Sequence, residues 1–185
     1  MSRRPESGFS GLGLADMALA VCDHLLKNGI QVVLSGGACV SIYTANKYLS
    51  YDLDLVLLSS EKQKETKAAV TALGFIEEGR YFRHPDSPFF LDFLPPPLSV
   101  GEEPVKKIAE IRKGGRVLKL LSPTDCVKDR LAAYFHWNDR QALEQAILVF
   151  RDQHVELAEV RRWSIAEGMA RKFSIFKGLL PQKKR

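Results

Sequence analysis

The chain has 185 residues, 45% hydrophobic and 26% charged, with a formal charge of +5 and an isoelectric point near 9.1. Such a composition belongs to a globular protein with a real core, long enough for one domain with a small helical appendage. It holds no run approaching the roughly 18–20 apolar residues a membrane span needs, and its mild basic balance is compatible with a polyanionic partner without requiring one.

Residues 1–12 are rich in Ser, Gly and Arg and are expected to form a flexible N-terminus. The opening Met1-Ser2-Arg3-Arg4-Pro5 has no apolar segment of signal-peptide type behind it, so a cytoplasmic protein is expected, with no membrane partner. Leu14, Met17, Val21 and Leu25 recur at helical spacing, and Asn28-Gly29 supplies the stop. Ile30 to Leu34 is too short and too β-branched for a helix and reads as a buried strand. Gly36-Gly37 opens a second helix running to about Asn46; taken alone, the pair reads as a tight strand-to-helix turn. Tyr51 to Leu58 is a further strand. Ser60-Glu61-Lys62-Gln63 has the capping-box pattern of a helix ending near Leu73-Gly74. Arg80 to His84 and Pro88 to Leu94 flank Pro85-Asp86-Ser87 as a hairpin, which Pro95-Pro96-Pro97 ends because proline cannot donate to a ladder.

A loop and linker lead to a strand over Arg116 to Leu121. Between Lys106 and Lys119 stand six basic residues against one acid, Glu110, either a solvated face or a surface for nucleic acid. Ser122-Pro123-Thr124-Asp125 starts a helix with a serine cap, a proline at the first position and a carboxylate at the third. Val127, Leu131, Tyr134 and Phe135 form its buried stripe; Lys128 and Arg130 flank that stripe on opposite sides, while Asp129 and His136 face away. A helix from about Asn138-Asp139 buries Leu143, Ala146, Ile147 and Phe150, and a short one covers Val155 to Arg162. Ser164-Ile165-Ala166-Glu167 reads as a capping box opening a last helix with Met169, Ala170, Phe173 and Phe176 inward. Residues 181–185 are expected to be a disordered tail. Cys22, Cys39 and Cys126 are odd in number, widely spaced and set among apolar residues, which excludes a zinc-type pattern and predicts reduced, buried thiols. The order of elements predicts an α+β fold, with a small mixed β-sheet flanked by helices over 13–121 and an α-helical C-terminal half over 122–180 packed on it.

Asp52 and Asp54 alternate with Leu53 and Leu55, so both carboxylates share one face of their strand. Like charges held side by side are costly unless a cation sits between them, and an oxygen-ligated divalent metal satisfies both. Asp92 lies in Phe89-Phe90-Leu91-Asp92-Phe93-Leu94, where an unpaired carboxylate is expensive; on a neighbouring strand it would complete a metal site. The glycine pair, the Asp-x-Asp and the later strand aspartate together resemble the minimal nucleotidyltransferase fold of the DNA polymerase β superfamily. The segment Ser122 to Ala133, followed by Trp137-Asn138-Asp139-Arg140, is similar to a helix of the AbiEii-type toxin nucleotidyltransferases, and the resemblance covers roughly residues 15–150.

The resemblance implies an enzyme moving a nucleoside monophosphate from an NTP to a hydroxyl on RNA, a protein or a small molecule, with tRNA as the specific expectation and a cognate antitoxin protein as a partner if the chain is a toxin. It implies Mg2+ or Mn2+ as cofactor, held by Asp52, Asp54 and Asp92, which are also its catalytic carboxylates. Gly36, Gly37, Ser41 and Ser50 would bind the nucleotide, with its phosphates at the helix N-terminus, and Lys128 or Arg130 would neutralise the triphosphate. Asp139 is either a further site residue or a favourable charge in the first turn of its helix. The small relatives often carry an arginine just before Ser-x-Asp-x-Asp, whereas Lys47, Tyr48 and Leu49 precede Ser50 here. The alternatives are a catalytically inactive nucleotide- or RNA-binding module of the same fold, which would bind without transfer, and a small-molecule transferase such as an aminoglycoside-modifying type, which predicts a compact acidic acceptor pocket.

Overall fold

Residues 8–181 are described in a computed structural model; residues 1–7 and the end of the expected tail, 182–185, lie outside the described part. The elements in chain order are α1 (Leu14–Lys27), β1 (Val32–Ser35), α2 (Gly36–Tyr43), β2 (Asp52–Leu57), a 3-10 turn (Ser60–Lys62), α3 (Gln63–Ala72), β3 (Ile76–Glu78), β4 (Tyr81–Arg83) and β5 (Phe90–Leu94). Two short strands follow, β6 (Ser99–Val100) and β7 (Glu103–Pro104), then β8 (Ile108–Lys113) and β9 (Arg116–Leu121). Four helices close the chain: α4 (Pro123–Trp137), α5 (Arg140–Asp152), α6 (Leu157–Ala166) and α7 (Ala170–Leu179).

Among the described residues the main sheet has seven strands in the order β3-β4-β5-β2-β1-β9-β8. It is mixed: β2–β5 and β1–β9 are parallel and the other neighbours antiparallel. The expected α+β architecture is the observed one. Leu53, Leu55, Leu91, Leu118 and Leu120 are buried on the central strands, and β1 is buried at every position, as its unbroken apolar run requires. Helix α1 packs on β1 and β9, while α2 packs on β1 and β2 and carries α4 and α5 on its outer side. The start of α4 follows the predicted chemistry: Ser122 Oγ accepts from the Asp125 amide at 3.1 Å, with Pro123 at the first position.

Three local expectations change. The stretch before Arg116 is not a loop but β8, paired with β9 across Gly114-Gly115, whose positive φ values of 57° and 77° suit a two-residue hairpin turn. Ser164 caps nothing: it is fully buried inside α6, donates to the Val160 carbonyl at 2.8 Å, and the helix runs on to Ala166. The stop there is Gly168 at φ 73°, and Ala170 of the next helix is exposed rather than inward. Finally, of the N-terminal segment expected to be flexible, Phe9 is buried, with its ring 5.5 Å from Phe75 and 5.0 Å from His84.

The basic residues between Lys106 and Lys119 do not form one face beside the carboxylates. The β8–β9 hairpin tip lies at the edge of the sheet opposite Asp54, because β9 runs parallel to β1 and reaches the carboxylate end only at Leu120 and Leu121. Near that tip Lys113 pairs with Asp16 at 2.6 Å and Arg112 with Glu110 at 2.5 Å; Lys119, farther along β9, donates to Gln31 at 2.9 Å.

Candidate active site

The strand register assembles the carboxylates. Asp54 stands opposite Ser35 on β1 and opposite Asp92 on β5, and Asp92 stands opposite Tyr81 on β4. The next row is Asp52, Phe90, Arg83 and Ile76. Residues in register share a face of the sheet, so Asp52, Asp54 and Asp92 project together. They do so at the end of the sheet where β1 turns into α2.

That turn is shaped around Asp54. Gly36 has φ 66°, and a Cβ added there would lie 2.0 Å from Asp54 Oδ2. Both the left-handed backbone and the space therefore demand glycine. A Cβ on Gly37 would meet Ser50 Oγ at 2.9 Å. The N-terminus of α2 thus lies beside the carboxylate pair. Ser35 Oγ donates to the Asp54 carbonyl at 3.3 Å, and Ser50 Oγ donates to Asp52 Oδ1, fixing that carboxylate. Ser41, expected among the nucleotide-binding residues, is fully buried: its hydroxyl donates to the Gly37 carbonyl at 3.2 Å and accepts from the Ser50 amide at 2.8 Å. It buttresses the glycine turn against the Ser50 loop and does not face the open site.

The electrostatics centre on Asp54. Burial, then Asp52 and Asp92, push its pKa up to about 6; Arg130 works against them and Asp129 adds to them. Among the described residues the Asp54 carboxylate has no hydrogen-bond or ion-pair partner. Asp92 does have one. Its carboxylate is 5% exposed and is ion-paired to Arg80, which reaches it from the β3–β4 turn.

Helix α4 places its two basic residues on different sides. Lys128 is buried on the side turned to α6, 2.7 Å from Glu159 and 3.4 Å from Asp125, and it lines a separate recess with Lys106, Lys107 and His154. Arg130 is on the carboxylate side, where its charge is felt by Asp54. It donates to Asp129 from Nε at 3.0 Å and from Nη2 at 2.6 Å, and to Gln145 at 3.4 Å. Burial opposes the Arg130 charge, but Asp129 more than offsets it and the pKa stays above the usual arginine value. Asp129, expected to face away, is therefore a fourth acid near the site. Asp139 accepts from the Ala142 amide at 3.0 Å and caps α5, the structural one of its two expected roles.

Sequence reasoning did not single out Ser35, Arg80 or Asp129. Ser35 carries no periodic signal, because β1 is buried at every position. The contact of Arg80 with a carboxylate twelve residues on depends on the β4–β5 register and has no local signature.

The donor set fits a divalent cation in part. Asp52 and Asp54 offer hard oxygen ligands, and Asp54 is a half-buried, unpartnered carboxylate repelled by two others, the situation a cation relieves. Among the described residues, however, no three His, Cys, Asp or Glu side chains stand close enough together to hold a metal ion, and Asp92 is engaged by Arg80.

The fold has counterparts among solved structures. An antigenic nucleotidyltransferase-like protein from Paracoccidioides brasiliensis matches with a TM-score of 0.63 at 12% identity, over 92% of this chain and 93% of its own. The antibiotic-resistance factor ANT(2'')-Ia matches with a TM-score of 0.52 at 17% identity, over 89% of this chain and 94% of its own. At such identities the likeness is one of fold. No protein-family model matches the sequence, and a search of curated proteins finds no match. Among the described residues no helix is long and apolar enough to cross a membrane.

Proposed function

We propose that the chain is a nucleotidyltransferase that moves a nucleoside monophosphate from an NTP to a hydroxyl acceptor. The observation that carries this reading is Asp54: a carboxylate without a partner, in register with Asp92, two residues from Asp52, and pressed against the Gly36 turn at a helix N-terminus. Half-buried, it is held among like charges beside the N-terminus of α2, an arrangement suited to a cation and an anion arriving together.

In the proposed reaction the triphosphate lies along the start of α2, where the Gly36 and Gly37 amides donate to its oxygens. Arg130, held in place by Asp129 and Gln145, balances its negative charge from α4. Asp52 and Asp54, with Asp92 when it is free, would hold Mg2+ or Mn2+, which supplies charge neutralisation and activation of the attacking oxygen. The acceptor oxygen forms its bond to the α-phosphorus while the bond to the leaving pyrophosphate breaks, and Asp92 takes the hydroxyl proton.

An RNA end is the acceptor that the neighbouring surface suits best. Tyr81, Phe90 and Arg83 continue the carboxylate rows outward, with the Arg83 guanidinium 4.5 Å from the Phe90 ring and Arg80 5.0 Å from Tyr81. Half-buried rings interleaved with arginines suit stacked bases and phosphates.

The test is incubation with each labelled NTP, Mg2+ and bulk RNA, with label retained on the RNA as readout. Asp54→Asn is expected to lower transfer about a hundred- to a thousandfold, and Gly36→Ala to do nearly as much by displacing the Asp54 carboxylate. Transfer that survives both substitutions overturns the site. NTP binding with no transfer to any acceptor favours the inactive module.

A further inference from the structure

Asp92 and Arg80 make an unequal pair. The carboxylate is 5% exposed and the arginine 65%. Arg80 stands with Gly79 in the two-residue turn between Glu78 and Tyr81, and both of its contacts, from Nε at 3.1 Å and from Nη2, fall on the single oxygen Oδ2. Its guanidinium also lies over the Tyr81 ring, a resting place that does not require Asp92. An exposed arginine is a weakly held partner that yields to a stronger one. A divalent cation between Asp52, Asp54 and Asp92 is such a partner, because it would bind all three carboxylates where Arg80 bonds to one and acts on Asp54 only through its charge. Among the described residues the three carboxylates do not form a metal-sized cluster while Arg80 holds Asp92.

We propose that Arg80 is a positioning residue that competes with the divalent cation for Asp92, keeping the third carboxylate out of the ligand set in the free protein and releasing it as the cation binds. This rests on the reading of Asp52, Asp54 and Asp92 as metal ligands. It makes Arg80 a determinant of metal affinity although it is not itself a metal ligand. Removing it strengthens binding, opposite to the effect of losing a ligand.

Mn2+ binding to the full chain without nucleotide, followed by the paramagnetic resonance signal of the free ion, tests this. Arg80→Gln is expected to bind Mn2+ about three- to tenfold more tightly than the wild type, and Arg80→Lys, which restores a cation, to return toward the wild-type value. In an Asp92→Asn background Arg80→Gln is expected to change nothing, because the contested carboxylate is gone. Unchanged or weaker binding in Arg80→Gln overturns the proposal. So does a gain that persists with Asp92→Asn, since Arg80 would then act only as a nearby charge. Absence of Mn2+ binding in both the wild type and Arg80→Gln overturns the ligand reading beneath it, a result distinct from either of those.

Discussion

At the scale of single residues the site is built on a destabilised group. Asp54 ionises against burial and two neighbouring carboxylates, which move its pKa up to about 6. An acid whose folded pKa lies above its unfolded value binds protons more tightly when folded. Its contribution to stability is therefore present at low pH and lost as pH rises from about 4, the ordinary aspartate value, to about 6, with no further change above that. Asp54→Asn removes the charge in a nearly isosteric way. In metal-free buffer at pH 7 it is expected to stabilise the protein by about 1–3 kcal/mol while abolishing transfer. The gap in melting temperature between variant and wild type should grow from pH 4 to 6 and stay level beyond. Mn2+ should close the gap by stabilising only the wild type. Thermal melts across that pH range, with and without Mn2+, check the expectation; a variant no more stable than the wild type at pH 7 contradicts it.

At the scale of elements, α4 carries chemistry on one side and anchorage on the other. Arg130 looks to the carboxylates, while Lys128, two residues earlier, is sealed against α6 by Glu159 at 2.7 Å. The Arg162 guanidinium, then Lys128, pull the Glu159 pKa down to about 2 against the opposing effect of burial. Among the described residues Glu159→Gln leaves the buried Lys128 with Asp125, at 3.4 Å, as its one ion-pair partner. Breaking a fully buried pair costs about 3–5 kcal/mol, and with Glu159 about a third exposed we expect about 1–3 kcal/mol here. A depressed carboxylate contributes fully above its unfolded pKa, so the loss should be complete at pH 7 and shrink as pH falls from about 4.5 to about 2. Urea unfolding of both proteins at pH 7 and pH 3 measures it. Local patterns made much of this level legible. The alternation of Asp52 and Asp54 with leucines, the Gly36-Gly37 turn and the Ser122-Pro123 start of α4 are each decided by neighbours in sequence. Strand β8 was hidden because an edge strand carries charges that mask its alternation. Ser164 looked like a cap because the burial of Trp163 beside it, which extends α6, is a tertiary fact. Arg80 on Asp92, and Lys128 turned away from the site, likewise depend on register and packing between distant segments.

At the scale of the whole molecule, the carboxylates stand on the sheet while much of the anchorage of the later helices is gathered at α6. Trp163 is fully buried, its ring stacked 5.6 Å from Phe135 of α4, and its Nε1 donates to the Val100 carbonyl of β6 at 3.2 Å. Arg162 pairs with Glu103 of β7 at 2.6 Å, and Glu167 accepts from the Glu102 amide at 2.8 Å. Helix α6 therefore ties the β6–β7 ribbon to α4. Trp163→Ala opens a cavity at that junction and is expected to cost about 3–5 kcal/mol. How the loss spreads can be read from the thiols, because Cys22 on α1, Cys39 on α2 and Cys126 on α4 are all buried. Burial also pushes the Cys22 pKa up to about 12, so alkylation of that thiol requires opening of the structure. If sheet and helices share one core, as the continuous buried cluster from Leu14 to Phe176 indicates, the three thiols open together. Alkylation at each cysteine should then rise by one common factor, roughly a hundred- to several-thousandfold, in Trp163→Ala. Site-resolved mass spectrometry of timed alkylation measures this. A rise at Cys126 alone would mean that α4 opens independently of the α1 side of the core, and that the charge which Arg130 offers the carboxylates is supplied by a separately unfolding part of the molecule.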